Sequence, residues 1–337
     1  MRNWIWVGFL GVLAVVAGVT SNWPLMQHVG WAVLGIVLLG YVLAWTGRRG
    51  IQVETVAERR RYTVGERLTY QYRVKKRSFF PAFDIRLPEG SALSLLPLGH
   101  ANPTFDTPLE YRGNYAIGGS VALSRDPFGL FTMPAAAIPQ QPVIVHPRPL
   151  RTPEAAAAAN RLIRRHRSWV GQAADATVGD LRVYQSGDPP QRVHWRTSAR
   201  VGQLVVSWPE RERRSSVWLL LDLGGDGPAA EDAAGIATFL VHELSGARIP
   251  VGLIVAGESL SVVAPRLDPD QRRRLLDAIA TINTSAASRI DGLVREFGRA
   301  SGTGSCVLIT PLNETAAWAR RLRAMTSDLA VLHTKSA

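Results

Sequence analysis

The sequence predicts a multi-domain chain. Two N-terminal transmembrane helices lead into a small β-sandwich-like domain, and a C-terminal α/β doubly wound domain follows. Three observations predict this. Asn3 to Gly47 contains no Lys, Arg, Asp or Glu. From Ile51 to about Pro147, short runs of strand character are punctuated by Pro and Gly. From Val217 onward, apolar runs of strand length alternate with longer helical segments. The expected boundaries are 1–47, 48–150, 151–216 and 217–337.

The apolar N-terminal run splits at Ser21-Asn22-Trp23-Pro24, a turn cluster that ends one helix and permits another. Trp4–Val19 and Met26–Trp45 are each near the lower limit for spanning a bilayer, which takes about 20 residues. Trp4, Trp6, Trp23, Trp31, Tyr41 and Trp45 lie near their ends, as interfacial aromatic belts do. A cleaved signal peptide is the competing reading of the first span, but no clear cleavage box precedes the second. Arg2 lies before the hairpin and Arg48-Arg49 just after it, while the loop between has no Lys or Arg. The positive-inside rule then expects a multi-pass cell-membrane protein with its soluble domains in the cytoplasm.

In the middle region, Arg67 to Val74 alternates polar and apolar for eight residues, the pattern of a half-buried strand. Ile85-Arg86-Leu87, Tyr115-Ala116-Ile117 and Val143-Ile144-Val145 are further strand candidates. Two turns stand out, Tyr111-Arg112-Gly113-Asn114-Tyr115 and Asp126-Pro127-Phe128-Gly129-Leu130-Phe131, both read as structural. Residues 154–169 read as a basic connector helix, with Glu154 in the first turn after Pro153, where the helix dipole prefers an acid.

Residues 179–200, GDLRVYQSGDPPQRVHWRTSAR, are polar, rich in Arg and rich in turn residues. Asp188-Pro189-Pro190-Gln191 has the form of a helix start, with Asp as N-cap and Gln where a capping box wants it; Gly202 is a natural stop. On such a helix Arg192, Arg196 and Arg200 share one face, and Trp195 with Ala199 forms an adjacent pair able to pack inward. An arginine stripe beside an aromatic anchor suits an anion or an acidic partner. The alternative is that these arginines pair with Asp180, Asp188, Glu210 and Glu212 and clamp the loop to its own domain.

In the C-terminal region, Val217–Leu221 suits a central parallel strand. Helices are expected over about Ala229–Ser245, Asp268–Ile282, Ile290–Arg299 and Glu314–Met325, and strands over Ile249–Val255, Leu260–Val263, Ser305–Ile309 and Leu329–His333. In a sheet of this kind, ligands bind at the carboxyl ends of strands, here around Asp222 and Thr310.

The segments RVYQSGDPPQRVHWRTSAR and LLLDLGG, with YRGNY and DPFGLF upstream, resemble the domain-of-unknown-function 58 family of prokaryotic membrane proteins. Tyr184, Gly187, Asp188, Arg192, Trp195, Ser198, Ala199 and Arg200 stand where the family pattern has them. The resemblance implies a C-terminal von Willebrand factor A-like domain. It also implies a non-enzymatic role beside AAA+ ATPases of the MoxR type or transglutaminase-like membrane proteins. Tyr184, Asp188, Arg192, Trp195, Arg196 and Arg200 of this segment are the expected partner-binding set. A metal-dependent adhesion site in such a fold needs Asp-x-Ser-x-Ser, an acid and two hydroxyls for one hard divalent cation. This chain offers Asp222, Gly224 and Asp226, so both serines are missing and the two acids are weak metal candidates.

Other chemistry is sparse. Net charge is +12, with ten Lys or Arg against three Glu in 48–77 and twelve Arg against six acids in 151–216. That surplus keeps a second reading open, a basic module for anionic lipid or, less favoured, nucleic acid. One cysteine, Cys306 in an apolar run, excludes an internal disulfide and a cysteine-rich metal site. The histidines show no metal-ligand spacing, and neither a phosphate loop ending in Lys-Ser/Thr nor a Gly-x-Ser-x-Gly elbow occurs. An enzyme would have to rest on Asp222 or His194, neither with a nameable catalytic partner. No cofactor is expected beyond a possible divalent cation.

Overall fold

A computed structural model describes residues 3–175, 181–185, 188, 190, 193–207, 216–225, 227–300, 305–311 and 316–334. The chain divides into two compact units, Met1–Glu110 with Asn114–Val145, and Tyr111–Gly113 with His146–Ala337.

The first unit begins with an apolar helical hairpin, α1 (Asn3–Thr20) and α2 (Pro24–Gly47). Pro24 opens α2, where its missing N–H costs nothing. Small residues set how closely the helices approach: a Cβ on Gly18 would lie 2.5 Å from the Gln27 nitrogen, and one on Gly30 would lie 2.6 Å from Val15. By length and composition α2 is able to cross a membrane, and α1 is a shorter apolar helix.

Eleven strands follow: β1 (Ile51–Ala57), β2 (Arg61–Thr63), β3 (Arg67–Lys76), β4 (Ala82–Arg86), β5 (Ala92–Leu95), β6 (His100–Ala101), β7 (Thr104–Pro108), β8 (Gly113–Ile117), β9 (Val121–Arg125), β10 (Thr132–Ala137) and β11 (Gln141–His146). They form three sheets: β1-β3-β6 with β7 also on β3, β10-β9-β4-β5, and β2-β11-β8. The alternation expected of 67–74 extends to Lys76. Leu68, Tyr70, Tyr72 and Val74 face inward, packing with Ile51, Val53, Ile85 and Val143. Lys76 holds the next inward position, and its ammonium donates to the carbonyls of Gly47 and, at 2.9 Å, Arg49. A lysine from the sheet therefore closes the carboxyl end of α2, where the helix leaves carbonyls unpaired. Burial pulls its pKa down to about 8.

The second unit contains α3 (Pro153–Asp175), β12 (Leu181–Val183), α4 (Trp195–Val201), β13 (Val205–Ser207), β14 (Val217–Asp222), α5 (Gly227–Gly246), β15 (Val251–Ala256), β16 (Leu260–Arg266), α6 (Gln271–Thr281), α7 (Ile290–Ala300), β17 (Ser305–Thr310), α8 (Ala316–Met325) and β18 (Asp328–His333). Its main sheet runs β16-β15-β14-β17-β18, with the pairs of β14, β15, β17 and β18 parallel and the edge strand β16 antiparallel to β15. Every residue of β14, β15 and β17 is buried, so the two faces of β14 feed two cores. Val217, Leu219 and Leu221 pack with α5 and α6; Trp218 and Leu220 pack with α7 and α8. Gly252 makes room for Trp218, since a Cβ there would lie 2.7 Å from the indole ring. The helix expected as a basic connector is a structural element instead. Ala155, Ala158, Ala159 and Leu162 of α3 are buried in the core beside α5, and Arg165 reaches Asp328 at 3.1 Å. Cys306 is buried in β17, as its apolar run implied.

Candidate functional site

The signature segment folds differently from the short helix expected between Asp188 and Gly202. Asp188 closes a tight turn: its N–H donates to the Gln185 carbonyl at 3.0 Å, and its carboxylate accepts the Gln185 N–H at 2.9 Å. Strand β12 pairs antiparallel with β13, the Tyr184 N–H donates to the Leu204 carbonyl, and Val193 bridges Val206. Helix α4 begins only at Trp195, because His194 is the N-cap and its Nδ1 accepts the Thr197 N–H at 3.3 Å. The Asp-Pro-Pro start competes with β pairing at Val193, and pairing wins. Gly202 ends α4 in the left-handed conformation at φ 71°, the stop that its residue type implied.

The facing of Trp195 and Ala199 on α4 also differs from expectation. Trp195 is 68 % exposed, and Ala199 is exposed with it. Ser198 is the inward residue: its hydroxyl accepts the Val205 N–H at 2.9 Å and fastens α4 to β13. Arg196 and Arg200 project from the exposed side, one turn apart, while Tyr184 and Asp188 are half-buried in the preceding turn. Val183, Val201 and Leu204 are exposed apolar neighbours in the same small substructure. Arg192, Gly187, Asp180, Glu210 and Glu212 lie outside the described residues, so the expected three-arginine stripe is seen as a pair.

At the carboxyl end of β14, Asp222 is fully buried. One carboxylate oxygen accepts the Gly224 N–H at 3.0 Å; the other accepts the Ser288 hydroxyl and, at 3.0 Å, the Thr310 hydroxyl. The segment at 283–288 lies across this end of the sheet. Gly225 donates to Ser285 at 2.9 Å, and a Cβ on Gly224 would come within 2.3 Å of the Ser288 backbone. An acid and two hydroxyls are thus gathered here, the donor types a hard cation takes. Both hydroxyls are spent on the carboxylate, however, and no cluster of three or more His, Cys, Asp or Glu able to hold a metal occurs among the described residues. Asp226 lies outside them. Asp222 acts in this arrangement as a tie between β14, β17 and the 283–288 segment.

Two further polar residues escaped the sequence reading. Arg112, from the YRGNY turn, is buried in the second unit at the start of α5, where its guanidinium meets Glu231 at 3.5 Å. Burial lowers its pKa and raises that of Glu231, and their mutual attraction opposes both shifts. Ser288 sits 66 residues from Asp222, so no local motif announces it.

Residues 180–333 match the family described as "Protein of unknown function DUF58". "Uncharacterized protein Rv1480" of Mycobacterium tuberculosis is 29 % identical over 172 residues, covering 46 % of this chain and 52 % of that protein. "Uncharacterized protein YeaD" of Bacillus subtilis is 27 % identical over 130 residues, covering 38 % of this chain and 32 % of that protein. The chain therefore spans about half or less of the length of these curated relatives. Among solved structures, a CARDB domain from Pyrococcus furiosus aligns with 28 % of this chain and 86 % of its own at 18 % identity and a TM-score of 0.22, which carries no weight for the fold. The match runs from just before β12 to the end of β18, so this part of the chain is similar to the DUF58 family of proteins of unknown function.

Proposed function

We propose that this chain is a non-enzymatic, membrane-anchored interaction protein that docks a protein partner through the exposed face of α4. The observation carrying this reading is Trp195, 68 % exposed on a short rigid helix beside Arg196 and Arg200. Trp and Arg are the residues most often found at interface hot spots, and leaving an indole in water has no folding benefit. The helix is fixed from behind by Ser198 and His194, so its outward side chains are presented on a set backbone.

In this proposal α1 and α2 form a two-pass anchor, and the charges flanking it favour a cytoplasmic side for the chain that follows the hairpin. The second unit is read as von Willebrand factor A-like, in keeping with a doubly wound order whose first strand, β14, is central. Family resemblance suggests the partner: an AAA+ ATPase of the MoxR type or a transglutaminase-like membrane protein. Acidic groups on that partner would complement Arg196 and Arg200.

The test uses the full-length chain in detergent with a purified MoxR-type ATPase from the same cell. Replacing Trp195, Arg196 and Arg200 together by Ala should weaken binding by at least about tenfold, or about 1.4 kcal/mol. Unchanged affinity would overturn the docking role of this face. If the chain instead held DNA or anionic vesicles with a steep dependence on salt, the reading as a basic binding module would take precedence.

A further inference from the structure

Around the carboxyl end of α2, the first unit gathers exposed aromatic and aliphatic side chains on three separate loops. Phe79 is 80 % exposed and Phe80, Leu96 and Leu98 are exposed as well; Phe128 projects from the DPFGLF turn. Such a set is unusual on a soluble surface, where large apolar side chains in one place mark an interaction site.

Their positions are fixed against the helix. Arg77 donates its N–H to the Gly50 carbonyl at 2.8 Å, and Leu98 donates to the Ser78 carbonyl. A Cβ on Gly47 would lie 3.5 Å from the Pro81 carbonyl oxygen. The DPFGLF turn reaches further along α2: Phe131 stacks on Trp4 at 5.7 Å and meets Tyr41 edge-on at 5.6 Å. Tyr41 lies seven residues before Arg48, about 10 Å along the helix axis. If Arg48 and Arg49 mark the headgroup layer, a turn resting on Tyr41 lies at the depth of the acyl-chain boundary.

The turn is built to tolerate that depth. Asp126 is buried, and its carboxylate accepts the N–H groups of Phe128, at 2.9 Å, and Phe131. The Asp126 N–H donates to Phe131, the Gly129 N–H donates to Asp126, and Arg125 donates to the Gly129 carbonyl at 3.1 Å. Irregular backbone enters an apolar medium at least cost when its polar groups are paired internally, and these bonds pair much of the turn. Arg48, Arg49, Lys75 and Arg77 lie close in sequence to the end of α2 and the Phe79-Phe80 loop, cations of the kind that meet anionic headgroups while aromatic rings go deeper.

From this geometry we infer that the β-rich region is itself an interfacial membrane-binding element. Its DPFGLF turn and Phe79-Phe80 loop insert into the cytoplasmic leaflet beside the hairpin. The inference rests on reading α1 and α2 as a membrane anchor, and the test separates the two. Full-length chain carrying a single environment-sensitive fluorophore is reconstituted in phosphatidylcholine–phosphatidylglycerol vesicles with and without brominated lipid. Labels are placed at Val12→Cys in the hairpin, at Phe80→Cys and Phe128→Cys in the loops, and at Arg67→Cys. Arg67 opens β3, nine residues and about 30 Å along the strand from Lys76.

Brominated lipid should quench the Phe80→Cys and Phe128→Cys labels several-fold more than the Arg67→Cys label. Quenching at Val12→Cys with loop labels no more quenched than Arg67→Cys overturns the inference and leaves the anchor standing. Absence of quenching at Val12→Cys overturns the anchor and the inference with it. In a second arm, a Phe79→Ser/Phe80→Ser variant is labelled at Leu98→Cys. Both phenylalanines are exposed, so the fold should persist while the Leu98→Cys label loses most of its quenching; unchanged quenching counts against insertion.

Discussion

At the scale of single residues, buried polar groups distinguish this chain more than its apolar ones do. Asp222 satisfies one backbone N–H and two hydroxyls from three places in the second unit. Replacing it by Ala would leave those donors buried without acceptors, at roughly 1 kcal/mol or more apiece, so Asp222→Ala should cost about 3 kcal/mol in denaturant unfolding. Thr310→Ala removes a donor to the carboxylate and should cost about 1 kcal/mol, and Ser288→Ala, which also removes the acceptor of the Ile290 N–H, should cost at least that. Were the carboxylate held in reserve for a cation, Asp222→Ala would leave metal-free stability untouched and abolish a magnesium-dependent rise in Tm. Lys76 makes the complementary point. It occupies the inward register that the alternation of β3 predicts, but a lysine there reads as the end of the strand, because only the carbonyls of α2 explain it.

At the scale of elements, local pattern carried most of the secondary structure. Periodicity placed the helical hairpin, the inward face of β3 and the alternation of strands and helices after Val217, because each of these depends on side chains close in sequence. The candidate site was less legible. The Asp-Pro-Pro capping pattern is a local signal, and it yielded to a long-range bridge between Val193 and Val206 that no local rule contains. The facing of Trp195 reversed for the same reason, since Ser198 rather than the indole is fastened to β13. An acid sensitivity belongs at this scale as well. His242 on α5 has its pKa lowered first by burial and then by the nearby Arg272 and His146 charges, and burial lowers that of His166 on α3. A base depressed in the fold is protonated more readily in the unfolded chain, so stability is intact above pH about 6.5 and falls as pH drops below it. Thermal melting at pH 7.5 and 5.5 should show the loss, and His242→Gln should reduce it; an equal loss in the variant would assign the effect elsewhere.

At the scale of the whole molecule, the proposed docking residues are separate from those of the cores. The exposed Trp195, Arg196 and Arg200 contribute little to either core, so their triple alanine variant should keep its unfolding midpoint, within about 0.5 kcal/mol, while losing its partner. That separation makes a binding defect interpretable. The lone cysteine offers a direct test of orientation, because Cys306 is buried and burial pushes its thiol pKa up, which suppresses background labelling. With positive charge at both ends of the hairpin and none in its loop, Asn22 should face the outside and the rest of the chain the cytoplasm. An Asn22→Cys variant should then react with a membrane-impermeant maleimide in intact spheroplasts, whereas Arg67→Cys should react only after permeabilisation. Labelling of Arg67→Cys in intact spheroplasts would reverse the orientation and, with it, remove any cytoplasmic ATPase from the set of partners that α4 can reach.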